Sequence, residues 1–142
     1  MAQPPRILVI EDNADDMELL MRELRKASMD QHVKAFADGM DALEYFGERG
    51  DLCANLVAIF LDLKLPRLDG LALLKAIRAK DHLAAIPVIV MTSSNSPDDL
   101  DLCKKLGVFS FVPKPLTISS FAKAFADTFH LPRSTSALGN GG

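Results

Sequence analysis

Short apolar runs rich in β-branched residues alternate, five times over, with stretches whose apolar residues recur at helical spacing, and few architectures accept such a pattern. Ile7-Leu8-Val9-Ile10, Val33 to Phe36, Val57 to Leu61, Val88-Ile89-Val90-Met91 and Val108 to Val112 read as strands. The continuous apolar character of most of these runs, without alternation, calls for cover on both faces. A first helix over residues 14 to 27 carries Met17, Leu20, Met21 and Leu24 on one side, with Asn13 or Asp12 as its cap. Asp38-Gly39 introduces a second, with Ala42, Leu43 and Phe46, and a polar loop from Gly47 to Leu52 follows it. Asp69-Gly70 opens a third, with Leu73, Leu74 and Ile77 inward and Lys75, Arg78 and Lys80 outward. Pro97 suits the first turn of a fourth after Ser96 as cap; Leu100, Leu102, Cys103 and Leu106 lie on it, and Gly107 ends it. The fifth, over residues 118 to 129, repeats Ile118, Phe121, Ala122, Phe125 and Phe129. Strands alternating with helices in this way imply an α/β fold: a five-stranded parallel sheet with helices on both faces. Periodicity alone leaves the strand order open.

With 142 residues, 49 % of them hydrophobic and 25 % charged, the chain suits one domain over residues 6–130. Residues 131–142, rich in Ser, Thr and Gly, read as a mobile tail or as a dimer arm that orders on a partner. A net charge of −3 argues against a nucleic-acid surface, which needs clustered Lys and Arg. No run approaches a membrane span, and Met1 to Arg6 lacks the apolar stretch of a secretory leader, so a cytoplasmic protein is expected. Cys53 and Cys103 show no metal-ligand spacing and are expected to be reduced and inert, as are the scattered His32, His82 and His130.

The polar residues that directly follow the strands carry the functional signal. Glu11 and Asp12 follow the first, Asp62 the third, Thr92 and Ser93 the fourth, and Lys114-Pro115 stands at the end of the fifth. In an open parallel sheet these positions share the C-terminal edge, where ligands bind. Three carboxylates gathered there repel one another unless a hard divalent cation joins them, and oxygen ligands few enough to leave water in place suit Mg2+. A hydroxyl from Thr92 and an ammonium from Lys114 are donors for phosphoryl oxygens. Together they describe phosphoryl transfer with Asp62 as an aspartyl nucleophile.

These residues resemble the receiver domain of two-component response regulators: Glu11-Asp12, Asp62 with Leu65-Pro66 and Asp69-Gly70 after it, Thr92 and Lys114-Pro115. Thirty residues separate Asp62 from Thr92 and 22 separate Thr92 from Lys114, both typical of the family, and the resemblance spans about residues 6 to 129. It implies a flavodoxin-like receiver fold with strand order 2-1-3-4-5, a cis Lys114-Pro115 bond, and phosphate delivered to Asp62 by the phosphohistidine of a histidine kinase. It further implies Mg2+ bound by Asp12 and Asp62 directly, by Glu11 mainly through water, and by the backbone carbonyl of Lys64, with Thr92 and Lys114 holding the phosphoryl group. Phe111 fits the aromatic switch position that responds to Thr92, coupling the site to the fourth helix, fifth strand and fifth helix. Phe in place of the commoner Tyr removes a hydroxyl, so such a switch rests on packing. Glu11 stands where Asp is commoner.

Thirteen residues follow the fifth helix, too few for an output domain, so the expected output is a contact. The Glu11-Asp12-Asn13 start, the long loop before the third strand and the Lys114-Pro115-Leu116 ending resemble regulators associated with phytochrome-type sensor kinases. That subfamily implies a cognate sensor histidine kinase or phosphotransfer protein as partner. It also implies a homodimer through the face of the fourth helix, fifth strand and fifth helix, or through the terminal arm. Phe121, Phe125 and Phe129 fit either that face or the core, and Phe111 either the switch or the core. The chain is expected to be a phosphoacceptor signalling protein and not an enzyme. An electron carrier of flavodoxin type is disfavoured because Glu11, Asp12, Asp15 and Asp16 would repel a cofactor phosphate. A haloacid-dehalogenase-type phosphatase would need a second Asp where Lys64 stands. A docking module that is never phosphorylated remains the alternative, disfavoured by the complete set of acids, hydroxyl and lysine.

Overall fold

Strands that expose no side chain to water persist only inside a layered structure, and β1 (Ile7–Ile10), β3 (Ala58–Asp62) and β4 (Val88–Thr92) are buried at every position. The computed structural model, which describes residues 6–48, 56–93 and 96–129, sets them at the centre of a five-stranded parallel sheet. The order is β2-β1-β3-β4-β5, with β2 (Val33–Phe36) and β5 (Ser110–Pro113) at the edges. The helices are α1 (Ala14–Lys26), α2 (Gly39–Glu48), α3 (Gly70–Arg78), α4 (Pro97–Lys105) and α5 (Ile118–Phe129). The tail from His130, Cys53 and most of the loop before β3 lie outside the described residues. Among the described residues no helix is long and apolar enough to cross a membrane.

The two-residue period of each strand divides the core. Val9, Phe60, Ile89 and Val112 meet Leu20 and Leu24 of α1 and Phe121 and Phe125 of α5 on one face. On the other, Leu8, Ile59, Leu61 and Val88 meet Phe46 of α2, Leu73, Leu74 and Ile77 of α3 and Cys103 of α4. Each fully buried Leu or Phe contributes about 1.5–3 kcal/mol relative to exposure. Phe60 and Phe121 lie 5.4 Å apart at their ring centres, and Phe121 stacks on Phe125 at 5.8 Å, so these two Phe residues of α5 belong to the core.

Helix ends follow the local chemistry. Asn13 accepts the Asp16 N–H at 2.9 Å and caps α1. Ser96 caps α4, with Pro97 in its first turn. Gly107, at φ +75°, closes α4: its N–H donates to Lys104 and that of Val108 to Cys103, at 3.0 and 3.1 Å. That closure occupies Val108, so β5 begins at Ser110 and not at Val108 as the apolar run suggests. Likewise β3 begins at Ala58 and includes Asp62, which pairs in register with Met91.

Several side chains depart from the helical patterns. Ile118, at the head of the α5 stripe, is 50 % exposed, because the helix has not yet reached the sheet there. On α4 only Cys103 is fully buried, with Leu102 and Leu106 half-buried. Arg78, expected to face water, folds back half-buried at the end of α3. Its guanidinium donates to the carbonyls of Leu106 and Gly107 at 2.7 and 3.0 Å, and to those of Leu83, Ala84 and Ile86 at 2.9–3.2 Å. Arginine's five donors in a planar fork suit that cluster of carbonyls.

Candidate functional site

Parallel register brings the strand-end residues to one rim. Ile10 pairs with Leu61, which sets Glu11 level with Asp62. Thr92 pairs with Pro113, and the Lys114 N–H continues that ladder by donating to the Thr92 carbonyl at 2.9 Å. The Lys114-Pro115 bond is cis. Behind the rim, α3 approaches so closely that a Cβ at Gly70 would overlap the backbone of Asp62 and Leu63, and glycine alone fits there.

Lys114 is the hub of the site. Its Nζ lies 2.9 Å from Asp62 Oδ2, 2.8 and 3.0 Å from the two oxygens of Glu11, and 3.0 Å from Asp16 Oδ2. Asp62 is 3 % exposed and Glu11 1 %. The other oxygen of Asp62 accepts the Lys64 N–H at 3.0 Å, and Glu11 Oε2 accepts the Asn13 N–H at 3.0 Å. Thr92 is buried at the same rim, and Phe111 lies half-buried against the core on the α4 side. The Lys64 side chain is exposed beside the site.

The charges do not balance. Ligand oxygens of Glu11, Asp12 and Asp62 all lie within 4.8 Å of one another, where two like charges repel by about 3–4 kcal/mol at an effective dielectric of about 20. Burial pushes the Glu11 carboxyl up to about 7, against the pull of Lys114 and the Asn13 N–H, and the charge of Asp62 adds to the rise. For Lys114 burial works against the charge, but its contacts with Glu11, Asp62 and Asp16 outweigh it and hold the ammonium above its ordinary range. Glu11 Oε1 is buried and accepts no hydrogen bond, although Lys114 Nζ is close. An acceptor without a donor in an oxygen-only set fits a hard divalent cation.

Glu11, Asp12, Asp62, Thr92 and Lys114 are thus brought to one edge. Asp16 joins them from the first turn of α1, and sequence reasoning missed that contact. A second unread feature joins the loop after β3 to α2. Arg67, at φ +64°, ion-pairs with Asp38 and, at 2.7 Å, with Asp41, while Asp38 itself accepts the N–H groups of Met40 and Asp41.

Among known proteins, the response regulator receiver domain family matches residues 7–126. Response regulator Rcp1 of Synechocystis sp. is 31 % identical over 127 residues, covering 86 % of this chain and 85 % of its own. The Mn2+-bound crystal structure of response regulator Rcp1 superposes with a TM-score of 0.74 at 29 % identity, over 90 % of this chain and 95 % of that one. The bacteriophytochrome response regulator RtBRR gives 0.72 at 37 % identity, over 90 % and 78 %. The phosphorylated cyanobacterial phytochrome response regulator RcpA gives 0.71 at 28 %, over 93 % and 91 %.

Proposed function

The chain belongs to the response regulator receiver domain family of two-component systems, and from that premise we propose that it is a stand-alone regulator phosphorylated on Asp62. The donor is the phosphohistidine of a sensor histidine kinase or phosphotransfer protein, and the likeness to RtBRR and RcpA supports a kinase of phytochrome type. A carboxylate oxygen of Asp62 attacks phosphorus; the P–N bond breaks, its electron pair stays on the imidazole, and an aspartyl phosphate forms. Later a water oxygen attacks the same phosphorus and the P–O bond breaks, returning the Asp62 carboxylate, inorganic phosphate and a proton. The chemistry is confined to the chain's own side chain, so the protein signals and does not turn over a separate substrate.

Glu11, Asp12, Asp62 and the Lys64 carbonyl would hold Mg2+, and the Mn2+-bound form of Rcp1 supports a divalent ion. Bound there, Mg2+ would neutralise charge on the transferring phosphoryl group. Lys114, already 2.9 Å from Asp62, donates to a phosphoryl oxygen, and the Thr92 hydroxyl donates to another. Movement of Thr92 draws Phe111 inward and reshapes the α4-β5-α5 face, through which the protein contacts its target or a second copy. Exposed Phe109 and Ile118 on β5's approach and α5 support a contact surface there. This role sets the protein in the cytoplasm.

The observation that carries the reading is the Lys114 ammonium bridging Glu11 and Asp62 at the sheet's C-terminal rim. Incubation with acetyl phosphate and Mg2+, followed by intact mass, tests it. Wild type is expected to gain one phosphoryl group and Asp62→Asn none; equal labelling of both, or of neither, would overturn it.

A further inference from the structure

Lys114 has three N–H donors, and three carboxylates surround them: Glu11, Asp62 and Asp16, each with an oxygen within 3.0 Å. With all three committed, no donor is left for an incoming phosphoryl oxygen. One contact must open as the phosphoryl group arrives. Glu11 is buried and Asp62 is the reacting group, but the Asp16 side chain, in the first turn of α1, keeps 19 % of its surface in water. Its carboxylate is therefore the one that solvent can take over when the ammonium leaves.

We propose that Asp16 is a positioning residue that holds Lys114 in the resting site and yields it to the phosphoryl group, restraining phosphorylation until that exchange occurs. The inference rests on Asp62 being the phosphoacceptor. An interaction stronger in the ground state than in the transition state slows a reaction, so loosening it speeds the step. The effect belongs to the saturated rate, because the contact opens after the donor has bound.

Asp15 supplies an internal comparison. It carries the same charge in the same helical turn, is exposed, and has no ion pair with Lys114 among the described residues. The experiment measures labelling by acetyl phosphate with Mg2+, across donor concentration, for wild type, Asp16→Asn, Asp16→Ser, Asp15→Asn and Asp62→Asn, with thermal unfolding of each. Both Asp16 variants are expected to raise the saturated rate by about fivefold, the worth of one partly exposed ion pair. Asp15→Asn is expected to keep the wild-type saturated rate. An unchanged or lower rate in both Asp16 variants overturns the inference, as does an equal rise in Asp15→Asn, which would make the effect one of general charge. Absent or Asp62-independent labelling of the wild type would instead overturn the phosphoacceptor reading itself.

Discussion

Glu11 ties the chemistry of the rim to pH. Its folded-state carboxyl lies at about 7 against an ordinary 4.5, because burial disfavours its charge. Its contribution to stability in the metal-free protein is therefore fully present below about 4.5 and is lost as pH rises through about 7. Metal-free protein is expected to gain stability from this group as pH falls from about 7 to about 4.5, the window between the folded and ordinary values, and Glu11→Gln should flatten that part of the profile in chemical denaturation. A cation competes with the proton, so Mn2+ affinity in wild type should rise as pH rises through the same interval, measured by titration calorimetry. Affinity that is level with pH would mean Glu11 takes no part in metal binding. The identity of the site residues was legible because each directly follows an apolar run, and the run's end fixes its place on the sheet. Asp16 was not legible as a partner of Lys114, since 98 residues separate them and no local pattern records the pairing.

At the scale of elements, the helices announced themselves through stripes and caps, and the central strands through unbroken apolar runs. The errors fell where backbone and side chain compete for the same residue. Val108 looks like a strand residue but spends its N–H on closing α4. Arg78 looks like a solvated charge on an amphipathic helix, yet it meets carbonyls of the turn just before β4 and others after α4, the latter nearly thirty residues on. Removing it leaves several half-buried carbonyls without a donor, so Arg78→Ala should cost about 2–4 kcal/mol in thermal or denaturant unfolding. Arg78→Lys should restore only part of this, having three donors on one atom. Gly107→Ala forces a Cβ into a positive-φ cap and is expected to cost about 1 kcal/mol by the same measurement.

For the molecule as a whole, the sheet order agrees with the receiver resemblance, and periodicity alone could not have chosen it, because strand order is set by which crossovers the tertiary core rewards. The core and the proposed contact face are separable. Phe121→Ala should cost about 3–5 kcal/mol, since the ring is wholly buried between the sheet and α5. Phe109→Ser together with Ile118→Ser, at positions 48 % and 50 % exposed, should leave the unfolding midpoint nearly unchanged while weakening self-association of the phosphorylated protein in light scattering. A large loss of stability in that double variant would reassign both residues to the core. Arg78 grips the carbonyls that follow α4, while the helix's opposite end follows β4 and its terminal Thr92 in the chain. Under the proposed switch, α4 would work as a lever with a fixed fulcrum: a small displacement beside the rim would swing the near end furthest, and the far end would stay where the guanidinium holds it.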